Sequence, residues 1–192
     1  QKEYSLALTE AALDSVFKKG GDPIAGEPVV EFWQAGWWKY VMASPDILRA
    51  KVTYALSQIF VISENNEVLE EESLSLPNYY DMLSRNAFGN YRDLLEEVTY
   101  HPAMGTYLTH VNNPKANYSI NRFPDENYAR EIMQLFSIGL YQLNPDGTRI
   151  VDENGNPLPT YGNAYIAELA KVFTGFSYGD AFLFGVGFIL IK

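Results

Sequence analysis

From residue 44 to residue 175, apolar side chains return every three or four positions, in short stretches separated by Pro, Gly and Asn. That spacing buries one face of an α-helix, whereas a strand would alternate polar and apolar residues every second position. "SPDILRAKVTYALSQIFVIS" shows it most clearly, with Ser44 as N-cap, Pro45 in the first turn and apolar residues at 48, 52, 55, 56, 59 and 60. "PNYYDMLSRNAF" and "NYRDLLEEVTY" follow the same rule on either side of Gly89, the second opened by Asn90 with Asp93 in its first turn. "HPAMGTYLTHV" and "PDENYAREIMQLFSIG" each carry a proline suited to the start of a helix, and Asn163 caps "AYIAELAKVFTG", which ends at Gly175.

Upstream, residues 5 to 18 have helical composition and stop at Gly20 and Gly21. "VVEFWQAGWWKYVMAS" then places Val30, Trp33, Trp37, Tyr40 and Val41 on one face. Two stretches break the helical pattern. "ENNEVLEEES" carries five glutamates in ten residues and reads as a solvated connection. "YQLNPDGTRIVDENGNPLPTY" alternates extended residues with two turn signals, Pro145-Asp146-Gly147 and Asn154-Gly155-Asn156-Pro157, and predicts a β-hairpin excursion near residues 141–160. The expected fold is therefore all-α, a bundle-like packing of about seven helices with that one excursion, over residues 1–192 as a single domain.

The 192 residues carry a formal charge of −10, which disfavours a nucleic-acid backbone or an anionic membrane surface as partner. No cysteine is present, so thiol catalysis, thiolate metal sites and disulfides are excluded together. The uncharged run from Ala181 to Ile191 falls well short of the ~20 residues that span a bilayer. It is the expected place for apolar surface covered by partner chains or further copies. Because the chain opens at Gln1 without a signal-like segment, it is expected to be a piece of something longer.

Chemistry is concentrated in "PDENYAREIMQLFSIG". At about 100° per residue, Tyr128, Ala129, Ile132, Met133, Leu135 and Phe136 share one arc, while Glu126, Asn127, Arg130, Glu131 and Gln134 share the other. Glu126 and Arg130 are four apart, as are Asn127 and Glu131, so a solvated face with one weak ion pair accounts for the pattern. The sharper reading is a buried polar network, since an exposed face in so acidic a protein would more often carry Glu and Lys than Asn, Arg and Gln. The arc is then expected to be at least partly buried, with Arg130 paired to a carboxylate. Glu126 and Glu131 point about 140° apart and need residues from another element to form an acid/base or cation site. His101 and His110 are nine apart, which turns their rings in roughly opposite directions on a continuous helix. Trp33, Trp37 and Trp38 could stack on a sugar, although aromatic packing against neighbouring helices is the simpler expectation. No phosphate loop, nucleophile elbow or H-E-x-x-H occurs, and "DENGN" and "NPDGT" lack the terminal glutamate of a calcium loop. No cofactor is expected beyond a divalent cation.

Taken in order, "VTYALSQIFVIS", "NYYDMLSRNAFGNYRDLLEEVTYHPAMGTYL", "PDENYAREIMQLFSIGLYQLNPDG" and "AELAKVFTGF" resemble the bacterial family known as domain of unknown function 1800, over about residues 45 to 176. The resemblance implies a larger, mostly helical, exported protein. It also implies association with a second exported family, domain of unknown function 1501. It carries no established activity. The motif positions are His101, Pro102, Glu126, Asn127, Ala129, Arg130, Glu131, Thr174 and Gly175. Many relatives place a histidine where this chain has Phe136, and residues 177–192 form a tail unlike theirs.

Two functions are consistent with these residues. One is an extracytoplasmic module, periplasmic, cell-surface or secreted, that binds or scaffolds a protein or glycan partner. The other is a metal-dependent or carboxylate-based hydrolase using Glu126, Arg130, Glu131 and His101.

Overall fold

A computed structural model describes residues 30–63, 65–66, 68–69, 75–178 and 189–191. The helix expected over residues 5 to 18, most of the glutamate-rich connection and most of the tail from Ala181 lie outside these. The described residues hold seven named α-helices and fall into two compact units, one made by those up to 107 with 178 and 189–190, the other by 108–177 with 191.

In the first unit, α1 (Val30–Ala43) and α2 (Ile47–Ile59) both pack on α3 (Ser75–Arg85). The inner face of α2 is Ala50, Thr53 and Ser57, small residues that let the backbones approach closely. α3 answers with Tyr79, Met82 and Leu83, all buried. Fully burying an apolar side chain of this size contributes roughly 1.5–3 kcal/mol. The Tyr79 hydroxyl donates to the Phe60 carbonyl at 2.9 Å, so its polar end is satisfied inside the core. Arg49 ties α2 to the end of α3, donating to the Ser84 carbonyl at 2.8 Å and lying over the Phe88 ring.

The N-cap of α2 is Asp46 and not Ser44. Its carboxylate accepts from both the Arg49 backbone N–H and Arg49 Nε at 3.0 Å, a double contact that a serine cannot make. Ser44 Oγ accepts from the Asp46 N–H one step earlier. Asn90 caps α4 (Tyr91–Tyr100) as its sequence suggests, accepting from the Arg92 N–H. α4 buries Leu94 and Val98 and leads through His101 into α5 (Pro102–Tyr107). α5 ends earlier than the apolar spacing implies, because Thr109 turns left-handed at φ +59°. Thr106 Oγ1 and the Tyr178 hydroxyl are hydrogen-bonded at 2.7 Å.

The second unit is built on α6 (Asn127–Gln134) and α7 (Asn163–Val172), which pack together and precede the strand β1 (Phe176–Tyr178). Ile189–Ile191 is also extended. The N-cap of α7 is Gly162, so Asn163 is its first residue. α6 is shorter than "PDENYAREIMQLFSIG" suggests. After Gln134 the Phe136 N–H reaches back five residues to the Glu131 carbonyl, Ser137 Oγ takes the Ile132 carbonyl, and Gly139 turns at φ +73°.

The chain is mostly helical as expected, but no strand forms within residues 141–160. Isolated antiparallel bridges join Tyr141 to Pro159, Leu143 to Arg149 and Val151 to Pro157. Two tight turns five residues long interrupt the pairing, and Pro157 and Pro159 have no N–H to extend it.

Candidate functional site

Asn113, almost fully buried, holds the approach to α6. Its Oδ1 accepts from the Asp125 N–H at 2.9 Å and its Nδ2 donates to the Asp125 carbonyl at 3.1 Å, the pairing of two strands made by one side chain. Asp125 Oδ1 in turn accepts from the Asn127 N–H at 2.8 Å. The start of the helix is thus positioned by side chains acting on backbone, although its N-cap, Glu126, makes no cap bond itself.

On the polar arc Arg130 donates to Glu126 Oε2 at 3.1 Å, with both side chains about 40% exposed. The pair is therefore half solvated. Asn127 Nδ2 donates to Thr109 Oγ1 at 3.0 Å, pinning the left-handed turn that ends the preceding segment. Gln134 is half-buried. Glu131 differs from its neighbours: its Oε2 is shut off from solvent with no hydrogen-bond partner among the described residues. The Tyr161 hydroxyl, just ahead of α7, is in the same condition.

Behind this arc lies an aromatic core that periodicity alone does not reveal. His110 stacks on Tyr128 with ring centroids 4.0 Å apart, and Phe173 and Phe176 meet the imidazole edge-on at 6.0 and 6.1 Å. Phe136 closes on Tyr128 at 6.4 Å. Phe136 is itself a buried member of this core.

His101 belongs to the other unit. Its carbonyl accepts the Gly105 N–H and its Nδ1 accepts the Ala103 N–H at 3.2 Å, so it starts α5 with backbone and ring together. A backbone N–H can only donate, which puts the ring proton on Nε2, facing Asn78 Oδ1 at 3.0 Å. Tyr79 packs edge-on at 5.0 Å. Burial, then the nearby Arg85 charge, lowers the His101 pKa to about 3, so the ring is neutral at physiological pH. Both ring nitrogens are engaged in holding α4, α5 and α3 together.

Of the three tryptophans, Trp37 packs edge-on against Tyr80 at 5.3 Å and beside Tyr40, whereas Trp38 is 62% exposed. Adjacent helical residues point about 100° apart, so these two rings do not form one platform. The Trp33 side chain lies outside the described residues. No group of three or more His, Asp or Glu side chains placed to hold a metal ion is found among the described residues, and none of their helices is long and apolar enough to cross a membrane.

The family model described as "Protein of unknown function (DUF1800)" matches residues 13–187. That match runs past both ends of the motif-bearing span and takes in much of the tail. No curated protein and no solved structure matches the chain. The ordered helices, the Glu126 to Glu131 arc and a match over most of the sequence together show that this chain belongs to the DUF1800 family.

Proposed function

We propose that this chain is an extracytoplasmic binding module that docks a protein partner on the outer faces of α1 and α2. The observation that carries this reading is the exposure of large apolar residues there. Trp38 and Met42, one turn apart on α1, are 62% and 84% exposed, and Ile47, Leu48 and Tyr54 on α2 are each more than half exposed. Scattered exposed apolar residues are ordinary, but two consecutive helices showing such faces mark an interaction surface. Aromatic residues and methionine are also the types enriched at interfaces. On α2 the only charge among these outward positions is Lys51, so a partner offering apolar side chains rimmed by carboxylates fits best.

The extracytoplasmic location and the choice of partner, a protein of the domain of unknown function 1501 family, rest on family association. The test is hydrogen exchange of the intact protein with and without that partner. Slower exchange confined to α1 and α2 supports the reading, and exchange in both helices that the partner leaves unchanged argues against it.

A second reading, carboxylate or metal-dependent hydrolysis at α6, is favoured by one observation: the unpartnered, solvent-shielded Oε2 of Glu131. Titration with divalent cations, followed by thermal unfolding of the wild type and Glu131→Gln, separates it from a structural role. A cation-dependent rise in Tm that the variant loses supports a metal site, and identical responses remove it.

A further inference from the structure

Residues 144–148 and 152–156 make the same turn twice. In each, the first residue's N–H donates to the fifth residue's carbonyl, Asn144 to Thr148 and Asp152 to Asn156, both at 2.8 Å. The fourth residue, a glycine, donates back to the first carbonyl, Gly147 to Asn144 at 2.9 Å and Gly155 to Asp152 at 3.0 Å. Both glycines are left-handed, at φ +84° and +83°. The third positions differ, so one turn reads Asp-Gly and the other Asn-Gly.

These dipeptides share a reaction. The glycine nitrogen can attack the side-chain carbonyl carbon of the residue before it, because no Cβ blocks the approach. At Asn154 the N–Cγ bond forms, the Cγ–Nδ2 bond breaks and ammonia leaves with the proton of the glycine amide. Water then opens the five-membered imide at either carbonyl, giving aspartate or isoaspartate. Solvent water is the only co-reactant.

We infer that Asn154-Gly155 is a latent deamidation site that the fold keeps closed through Asp152. The nucleophile must give up its N–H, and that N–H is donated to the Asp152 carbonyl. The Asp152 carboxylate fastens the chain on both sides of the reacting bond. Oδ1 accepts from the Asn154 and Asn156 N–H groups at 2.9 and 2.8 Å, and Oδ2 accepts from Asn156 Nδ2 at 3.2 Å. Ring closure requires rotation about the Asn154 backbone, which breaks these contacts.

The twin turn explains why the site is Asn154 and not Asp146. Asp146 loses water only when its carboxyl is protonated. Thr148, donating from both its N–H and its hydroxyl, holds that carboxyl below the usual range. An amide needs no such protonation to lose ammonia. Residues 153–156 are exposed, so water is at hand once the turn opens. The product carries a new charge beside Asp152 and Glu153, and isoaspartate adds a backbone methylene that the five-residue turn cannot absorb. Conversion therefore records opening of this turn and is not reversed by its closing.

The intact protein is incubated in mildly alkaline buffer, native or in denaturant, and the peptide containing Asn154 is followed by mass spectrometry. Native protein is expected to convert at least about tenfold more slowly, the factor given by a local opening free energy of ~1.4 kcal/mol. Asp152→Ala, folded by circular dichroism, is expected to lose most of that protection. Asp152→Asn, which keeps an Oδ1 acceptor, is expected to keep most of it. Equal rates in native and denatured protein, an unchanged rate in Asp152→Ala, or an intact Asn154 in denaturant would each overturn the inference.

Discussion

His101 shows what a residue-scale pattern can conceal. A lone histidine before a proline invites a catalytic reading, yet its ring nitrogens serve the Ala103 N–H and the Asn78 side chain. His101→Ala should lose about 2–4 kcal/mol of stability, from the missing cap and the backbone N–H left buried. The pH dependence has a definite sign. The folded pKa of about 3 lies below the unfolded value of about 6.5, so the unfolded chain binds the proton first as pH falls. The stability His101 contributes is whole above about pH 6.5 and declines toward pH 3, by up to ~1.4 kcal/mol per pH unit. Denaturant melts of wild type and His101→Ala should therefore converge as pH drops from 6.5 to 5, and a constant difference would contradict the neutral-ring assignment. Arg130 is the opposite case. Its pair with Glu126 is half solvated, so Arg130→Ala should cost less than ~1 kcal/mol in the same melts, and a loss of 3 kcal/mol or more would reveal a buried network.

At the scale of elements, the helices were legible because each depends on local signals. Asn90 caps α4, and the three-to-four-residue apolar spacing identifies α2, α3 and α7. Their ends were less legible. α5 stops at a left-handed Thr109 and α6 at a serine that bonds back to its own last turn, neither of which a hydrophobic pattern encodes. The polar arc of α6 was legible as a face, but its partition into a solvated pair, an anchor to Thr109 and a shielded Glu131 oxygen depends on tertiary neighbours. The aromatic shell around His110 joins residues more than sixty positions apart and has no local signature. Within residues 141–160 the turn signals were right, and the glycines there can be tested singly. No atom stands within 4 Å of a Cβ added at Gly147 or Gly155, so the cost of alanine is conformational, about 1–2 kcal/mol each. Gly89→Ala has no left-handed backbone to strain and only an ordinary 3.4 Å contact with the Asn86 carbonyl, so it should change the melting midpoint far less.

For the whole molecule, the two units have different cores, and each leaves some large apolar side chains exposed. Residues 30–107 hold a helical core under the apolar outer faces of α1 and α2, and residues 108–177 hold an aromatic core beneath the polar arc of α6. Composition foretold a packed acidic protein, but not where its apolar surface would be left uncovered, since exposure is a property of the assembled fold. The most direct measurement is calorimetric titration of the intact protein with a protein of the 1501 family, the partner proposed above, comparing wild type with Met42→Glu and Leu48→Glu. Both positions are exposed, so neither substitution should change the thermal midpoint appreciably. Saturable binding by the wild type is expected, weakened at least about tenfold by each glutamate, which places charge in an apolar contact. Binding unaffected by both substitutions, or absent in the wild type, would contradict the proposed docking.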